Sequence, residues 1–252
     1  MSLAAGKIMH NKTTTYIARL LQAGFLCVAV GLPGWANSAT PDVHSIASDA
    51  PILSADGVMV VDIVKNQVLY SKNADVERPI ASITKLMTAM VMLDAKLPMN
   101  EKIRIADADI DILRNSYSRL RVGTVHTRRE LLQLALMSSE NRAASALART
   151  YPKGSQAFYT AMNAKATALG MQRTRFVDAT GLSSANTSTA EELVKLVSAS
   201  LSYSQIREIT TMESYEVRQK HVLKYRNSNP LVRSDNWEIG LSKTGYIIPA
   251  GH

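Results

Sequence analysis

The stretch Ala81-Ser82-Ile83-Thr84-Lys85-Leu86-Met87-Thr88-Ala89-Met90 places a hydroxyl and an amine where they could act together. Ile83, Leu86, Met87, Met90 and Leu93 recur at helical spacing, which predicts a helix running to about Ala95 with one apolar face. Residues three apart share one side of such a helix, a turn from each other. Ser82 would then sit by the positive end of the helix dipole, where developing negative charge is stabilised. A buried, neutral Lys85 amine could take its proton, which is the chemistry of an activated serine nucleophile. Ser-x-x-Lys alone carries little information, since ordinary composition should produce it about once in a chain of this length.

Two further elements give it meaning. Thr127 to Met137 reads as a helix, with Thr127 as cap and Glu130 three residues on. It is apolar almost all round and so expected in the interior. Ser138-Ser139-Glu140-Asn141 breaks it, and Asn141 to Arg149 resumes helix. Near the C-terminal end, Ile239 to Ile248 reads as a strand that carries Lys243-Thr244-Gly245. Acyl transfer has a use for each element. Ser82 would attack an acyl carbon and Lys85 would remove its proton. The Ser139 hydroxyl would relay a proton to a leaving amine, and the Asn141 amide would hold Lys85 and a substrate carbonyl. Lys243, beside Thr244, would offer positive charge to a substrate carboxylate and help keep Lys85 neutral by repulsion. Gly245 would let a substrate backbone lie close to the strand. The amides of Ser82 and Tyr246 would form an oxyanion hole. Ser234-Asp235-Asn236, nine residues before Lys243, reads as loop.

The remaining elements must hold these three in place. Gly57 to Val64 and Val68 to Ser71, joined by Lys65-Asn66-Gln67, predict a β-hairpin. Gln156–Leu169 and Thr189–Leu201 read as helices, and strand-like and loop-like pieces follow from about Ser204. Met87, Met90 and Met92 read as core. Arg128-Arg129 and Lys220-His221 read as solvated surface, and His126 and His221 lack metal-ligand spacing.

The N-terminus has a different character. Lys7, Lys12 and Arg19 precede the apolar run Leu20–Leu32, and Ala36-Asn37-Ser38-Ala39 offers small residues for cleavage. Residues 1–39 thus read as a secretory signal, too short to span a membrane, so no membrane span is expected after cleavage. Residues 40–54 read as a linker and 55–252 as one domain. The single Cys27 falls inside the signal, so the mature chain needs no disulfide in an oxidising space. Three of the eight surplus positive charges also lie in that segment. The remaining surplus of five, with no basic block and 6% aromatics, argues against a nucleic-acid partner.

The ordered triplet resembles that of the serine penicillin-binding proteins and serine β-lactamases. It is most similar to the low-molecular-mass D-alanyl-D-alanine peptidases, endopeptidase members above all. Further marks are Arg78-Pro79-Ile80-Ala81, the run from Leu136 to Ala144, Phe176 with Gly181-Leu182, Ser188-Thr189-Ala190 and Asp235-Asn236-Trp237. The resemblance covers roughly residues 55–252. It implies an α+β fold, a mostly antiparallel sheet with helices on one face and a helical cluster beside it. It implies a periplasmic enzyme of cell-wall remodelling that acts on peptidoglycan stem peptides through an acyl-enzyme on Ser82. β-Lactams would be covalent inhibitors, and neither metal nor organic cofactor is implied. The alternatives are a D-Ala-D-Ala carboxypeptidase, a penicillin-binding protein that binds cell wall without hydrolysis, and a β-lactamase, against which Glu191 and Glu192 fall at a helix start without the local pattern of a deacylation base. Relatives continue past the Lys-Thr-Gly strand with two more strands and a helix. A C-terminally incomplete domain is therefore expected, with strand 241–248 and the hairpin each short of a neighbour.

Overall fold

Helix formation around Ser82 depends on burial more than on amphipathic patterning. The computed structural model describes residues 2–6, 51, 53–218 and 221–250. In chain order the strands are β1 (Ser2–Gly6), β2 (Val58–Asp62), β3 (Gln67–Lys72), β4 (Arg78–Pro79), β5 (Lys102–Arg104), β6 (Val125–Thr127), β7 (Thr187–Ser188), β8 (Ser214–Arg218), β9 (Val222–Arg226) and β10 (Ile239–Thr244). The helices are α1 (Thr84–Asp94), α2 (Arg128–Met137), α3 (Asn141–Arg149), α4 (Gly154–Ala168), α5 (Ala190–Ser200) and α6 (Ser204–Thr210). A single 3-10 turn, Ala81–Ile83, leads into α1. Every residue of α1 from Thr84 to Met92 is buried, the polar ones included. The reason is position: α1 touches α2, α3, α4, α5 and α6, so it is the central rod of the helical layer.

Local chemistry sets the ends of these elements. Thr127 Oγ1 accepts from the Glu130 amide at 3.1 Å while the Glu130 carboxylate accepts from the Thr127 amide at 2.8 Å. This capping box, worth about 1 kcal/mol, was legible in the sequence. Thr189 caps α5 with its side chain alone, Oγ1 accepting from the Glu192 amide at 3.1 Å. The β2–β3 turn is held by Asp62, whose carboxylate accepts from the amides of Val64 and Lys65, and Asn66 adopts a left-handed φ of 51° there.

The fold is α+β, and the strand pairings among the described residues are antiparallel. The strands form separate pairs rather than one continuous sheet: β2–β3, β4–β7, β5–β6, β8–β9 and β1–β10. Strand β10 was expected to lack a neighbour, but Ser2–Gly6 pairs along it, Leu3 opposite Lys243. Such pairing uses main-chain groups and is open to an extended segment of almost any sequence. The hairpin β2–β3 pairs with no further strand among the described residues and lies against α5. The rest of the expected signal segment and residues 40–50 of the linker lie outside the described residues.

Two other expectations fail for physical reasons. Helix α6 was read as strand or loop. Its seven residues supply only Ile206 and Ile209 as buried apolar positions, too few for a period, and contacts to α2 and β10 fix it instead. Arg128 was read as solvated surface, yet it is 1% exposed. Its guanidinium pairs with Glu101 and donates to Thr150 Oγ1 at 3.3 Å and Met92 Sδ at 3.5 Å. We expect Arg128→Ala to lower unfolding free energy in a urea titration by about 2 kcal/mol or more, because it opens a buried cavity and breaks a partly buried pair. A solvated arginine would move the midpoint by less than about 0.5 kcal/mol.

Candidate active site

The first turn of α1 meets three other segments at the Lys85 amine. Lys85 is fully buried, and its Nζ lies 2.8 Å from Ser82 Oγ, 2.8 Å from Asn141 Oδ1 and 2.7 Å from the Thr180 carbonyl. Burial holds the amine down at about 7, against the carboxylates of Asp178 and Glu140, which pull it upward. Near neutral pH much of it is therefore uncharged. A neutral amine can donate two hydrogens, to Asn141 and Thr180, and turn its lone pair to the Ser82 hydroxyl. The three partners thus define the geometry of a general base.

Asn141 is itself oriented. Its Nδ2 donates to Ser116 Oγ at 2.9 Å, which leaves Oδ1 facing Lys85. Ser116 is held by Asp111, whose carboxylate accepts the Ser116 amide at 2.8 Å and those of Leu113 and Arg114 at 2.8 and 3.1 Å. Those bonds, with one from the Ser116 hydroxyl, hold the Asp111 carboxyl below its usual range against the opposing effect of burial.

Lys243, on β10, reaches the same turn at Ser139. It is 1% exposed, and its Nζ donates to Ser139 Oγ at 2.9 Å and to the Thr244 carbonyl at 2.7 Å. Burial and then the charge of Lys85 push Lys243 well below the usual lysine range. Repulsion between the two ammonium groups is mutual, so both lysines resist being charged at once, and burial is the first cause of the downward shift at each. Ser139 has a left-handed φ of 60°, uncommon for a residue with a side chain. Thr244 Oγ1 donates to Ser228 Oγ at 2.6 Å or accepts from it, and the Ser228 amide donates to the Met137 carbonyl at 2.9 Å. That bridge ties the end of β10 to the end of α2.

Gly245 permits a close approach, but the neighbour is the enzyme's own backbone. A Cβ there would lie 3.0 Å from the Ser82 nitrogen and 3.2 Å from that of Ile83. The Tyr246 amide follows one peptide on, and the Tyr246 side chain is 57% exposed. Ser82, Lys85, Ser139, Asn141, Lys243, Thr244, Gly245 and Tyr246 are therefore linked through this one small region.

Several residues escaped the sequence reading. The segment 177–186 is a scaffold for the nucleophile turn. Asp178 Oδ1 accepts from the amides of Thr180 and Gly181, both at 2.6 Å, and Oδ2 from that of Ser183 at 2.9 Å. Asn186 Oδ1 accepts from the Val177 amide at 2.8 Å, its Nδ2 donates to Thr84 Oγ1 at 3.1 Å, and its carbonyl accepts from the Ile80 amide. Asp178-Ala-Thr-Gly181 has an Asx-turn signature that could have marked this loop; nothing comparable marks Ser116. Glu192 is turned to structural use, accepting from the Arg173 amide at 3.1 Å and from Thr174 Oγ1 at 2.6 Å, and Glu191 is exposed. Neither is placed as a base for deacylation of the kind the β-lactamase alternative needs. Among the described residues no cluster of His, Cys, Asp or Glu could hold a metal ion.

The chain is similar to known proteins over most of its length. A family model described as D-alanyl-D-alanine carboxypeptidase matches residues 44–252. The D-alanyl-D-alanine endopeptidase of Escherichia coli is 44% identical over 90% of this chain and 74% of the relative. That of Pseudomonas aeruginosa is 49% identical over 79% of this chain and 66% of the relative. Among solved structures, the Streptomyces K15 DD-transpeptidase superposes with a TM-score of 0.73 at 31% identity, covering 80% of this chain and 84% of that one.

Two outcomes follow. The rate constant for penicillin acylation should rise about tenfold per pH unit below pH 7 and level off above it, because only the neutral Lys85 amine accepts a proton. A profile flat from pH 5 to 9 contradicts this. Gly181 has a φ of +81°, and a Cβ there would overlap the Ala81 carbonyl oxygen at 1.8 Å. Gly181→Ala should slow acylation by about 100-fold or more, the scale set by displacing a reacting group or oxyanion donor. Stopped-flow acylation of the folded variant at near wild-type rate contradicts it.

Proposed function

The chain belongs to the D-alanyl-D-alanine carboxypeptidase family of serine peptidases, and from that premise we propose that it hydrolyses D-alanyl bonds in peptidoglycan cross-links through an acyl-enzyme on Ser82. The observation that carries the reading is the Lys85 amine, buried and 2.8 Å from Ser82 Oγ. Lys85 takes the hydroxyl proton as Oγ bonds to the D-Ala carbonyl carbon. The amides of Ser82 and Tyr246 receive the oxyanion, a contribution of roughly 3 kcal/mol per donor. As the C–N bond breaks, the proton taken by Lys85 is relayed through the Ser139 hydroxyl, held by Lys243, to the leaving nitrogen, which returns Lys85 to its neutral form. Water then hydrolyses the ester. Asn141 orients Lys85 and the substrate carbonyl, and Lys243 with Thr244 receives the substrate carboxylate.

A β-lactam enters the same path, but its cleaved amide nitrogen stays tethered, so the acyl-enzyme persists. The endopeptidase preference is supported by two relatives that carry that name at 44 and 49% identity. Carboxypeptidase action is the second reading, favoured by the description of the family model. The signal-like N-terminus supports export to the periplasm and a mature domain beginning near residue 55. Among the described residues no helix is long and apolar enough to cross a membrane.

The test is Ser82→Ala, incubated with labelled penicillin and with cross-linked and single-strand muropeptides in parallel. The variant should fold, with at most about 1 kcal/mol lost, and should neither retain label nor cleave. Wild-type protein should cleave the cross-linked substrate faster. Label on the variant at the wild-type rate defeats the assignment of Ser82; faster release of terminal D-Ala by the wild type favours the carboxypeptidase reading.

A further inference from the structure

Beside the Ser139 turn lies a cavity of about 580 Å³, within the size range of peptide and small-molecule sites. Ser138 and Glu140, the two chain neighbours of Ser139, form one wall. Arg119, Lys224 and Arg226 line it with positive charge, and Tyr117 stands at its side with 87% of its surface exposed. A second hollow of about 310 Å³ shares Tyr117 and Arg119 and adds Arg121 and His221. Acidic groups are few here. Glu140 accepts the Arg142 amide at 3.3 Å at the start of α3, and Glu216 faces Lys224 across the β8–β9 pair.

The cations are arranged rather than scattered. Lys224 and Arg226 are two apart on β9, hence on one face, and both are exposed; the intervening Tyr225 is buried. Arg119 donates from Nη1 to the Lys224 carbonyl at 2.9 Å, and its guanidinium carbon lies 3.9 Å from the centre of the Tyr225 ring. The ring contact and the single bond fix the plane of the guanidinium and leave most of its donors for a ligand, a geometry suited to a carboxylate.

We propose that this cavity is a subsite for the carboxylate-bearing peptide strand on the leaving side of the scissile bond, and that it selects cross-linked over single-strand substrates. The inference rests on the peptidase reading above. The direction comes from the role proposed for Ser139, which hands a proton to the departing nitrogen, and from the cavity, which its two neighbours Ser138 and Glu140 line. A single D-Ala leaving group ends at the carboxylate that Lys243 receives, so it has nothing to place further on. A cross-linked leaving strand continues and carries additional carboxylates, which meet Arg119, Lys224 and Arg226.

The experiment measures kcat/KM of wild type, Lys224→Glu and Arg226→Glu on a cross-linked muropeptide dimer and on a single-strand pentapeptide. Both positions are exposed, so folding is not at stake, and a thermal melt checks it. The dimer-to-monomer ratio should fall about tenfold or more in each variant, mainly through KM, as expected for reversing a charge that meets an ionised partner. A second arm needs no variant: wild type should lose a similar factor on a dimer whose leaving-strand carboxylates are amidated. A ratio unchanged within about twofold in both arms overturns the subsite. Labelled penicillin on wild type separates the two failures. Acylation with an unchanged ratio removes only the subsite, whereas absence of acylation brings down the peptidase reading and the subsite with it.

Discussion

An amine that would be charged in water is buried in the middle of a helical layer, and the site is organised around that constraint. Lys85 lies on the central helix, where every side chain from Thr84 to Met92 is out of solvent. Burying a charged ammonium costs several kcal/mol, so the group lowers its proton affinity instead. The value of about 7 makes it a base near neutral pH. Three partners at 2.7–2.8 Å keep the polar atom from being orphaned in either protonation state, Ser82 accepting from the ammonium and donating to the neutral amine. The same burial that stabilises the fold through apolar contacts thus supplies the chemistry.

The constraint propagates outward through short polar links. Asn141 can serve Lys85 with its oxygen because Ser116 takes its nitrogen, and Ser116 is held by Asp111. Thr180 presents its carbonyl because Asp178 and Asn186 fix the loop on which it sits. Ala81 has a left-handed φ of 46° directly before Ser82, a conformation that costs on the order of 1 kcal/mol and persists only where surroundings over-determine it. Those surroundings are Gly181 on one side and Gly245 on the other, each at a distance that leaves no room for a methyl group without movement. The nucleophile turn is held between a loop and a strand end.

Much of this was legible in the sequence, and the boundary of what was legible is physical. Ser82, Lys85, Ser139, Asn141 and Lys243 stand in segments with strong local signals: a helix start, a capped helix with a polar break and an edge strand. The cap at Thr127 and the helix Asn141–Arg149 are local chemistry, so spacing revealed them. Arg128 was misjudged because the pairing with Glu101 spans 27 residues and only the fold brings it about. Ser116 and Asn186 act through hydrogen bonds to Asn141 and Thr84, distant in sequence, which leave no periodic trace, whereas Asp178 acts within its own turn. Gly245 was read as room for a substrate, when the close neighbour is Ser82's own backbone, because sequence shows that space is needed and not what fills it.

The central claim is that the Lys85 amine is uncharged for much of the time at neutral pH. Carbon-13 NMR of lysine-labelled protein measures this directly, with the Lys85 Cε signal assigned by its loss in Lys85→Arg. The account predicts a titration centred near pH 7. A Lys85 signal that stays in its protonated position to the ordinary lysine range of about 10 would contradict it.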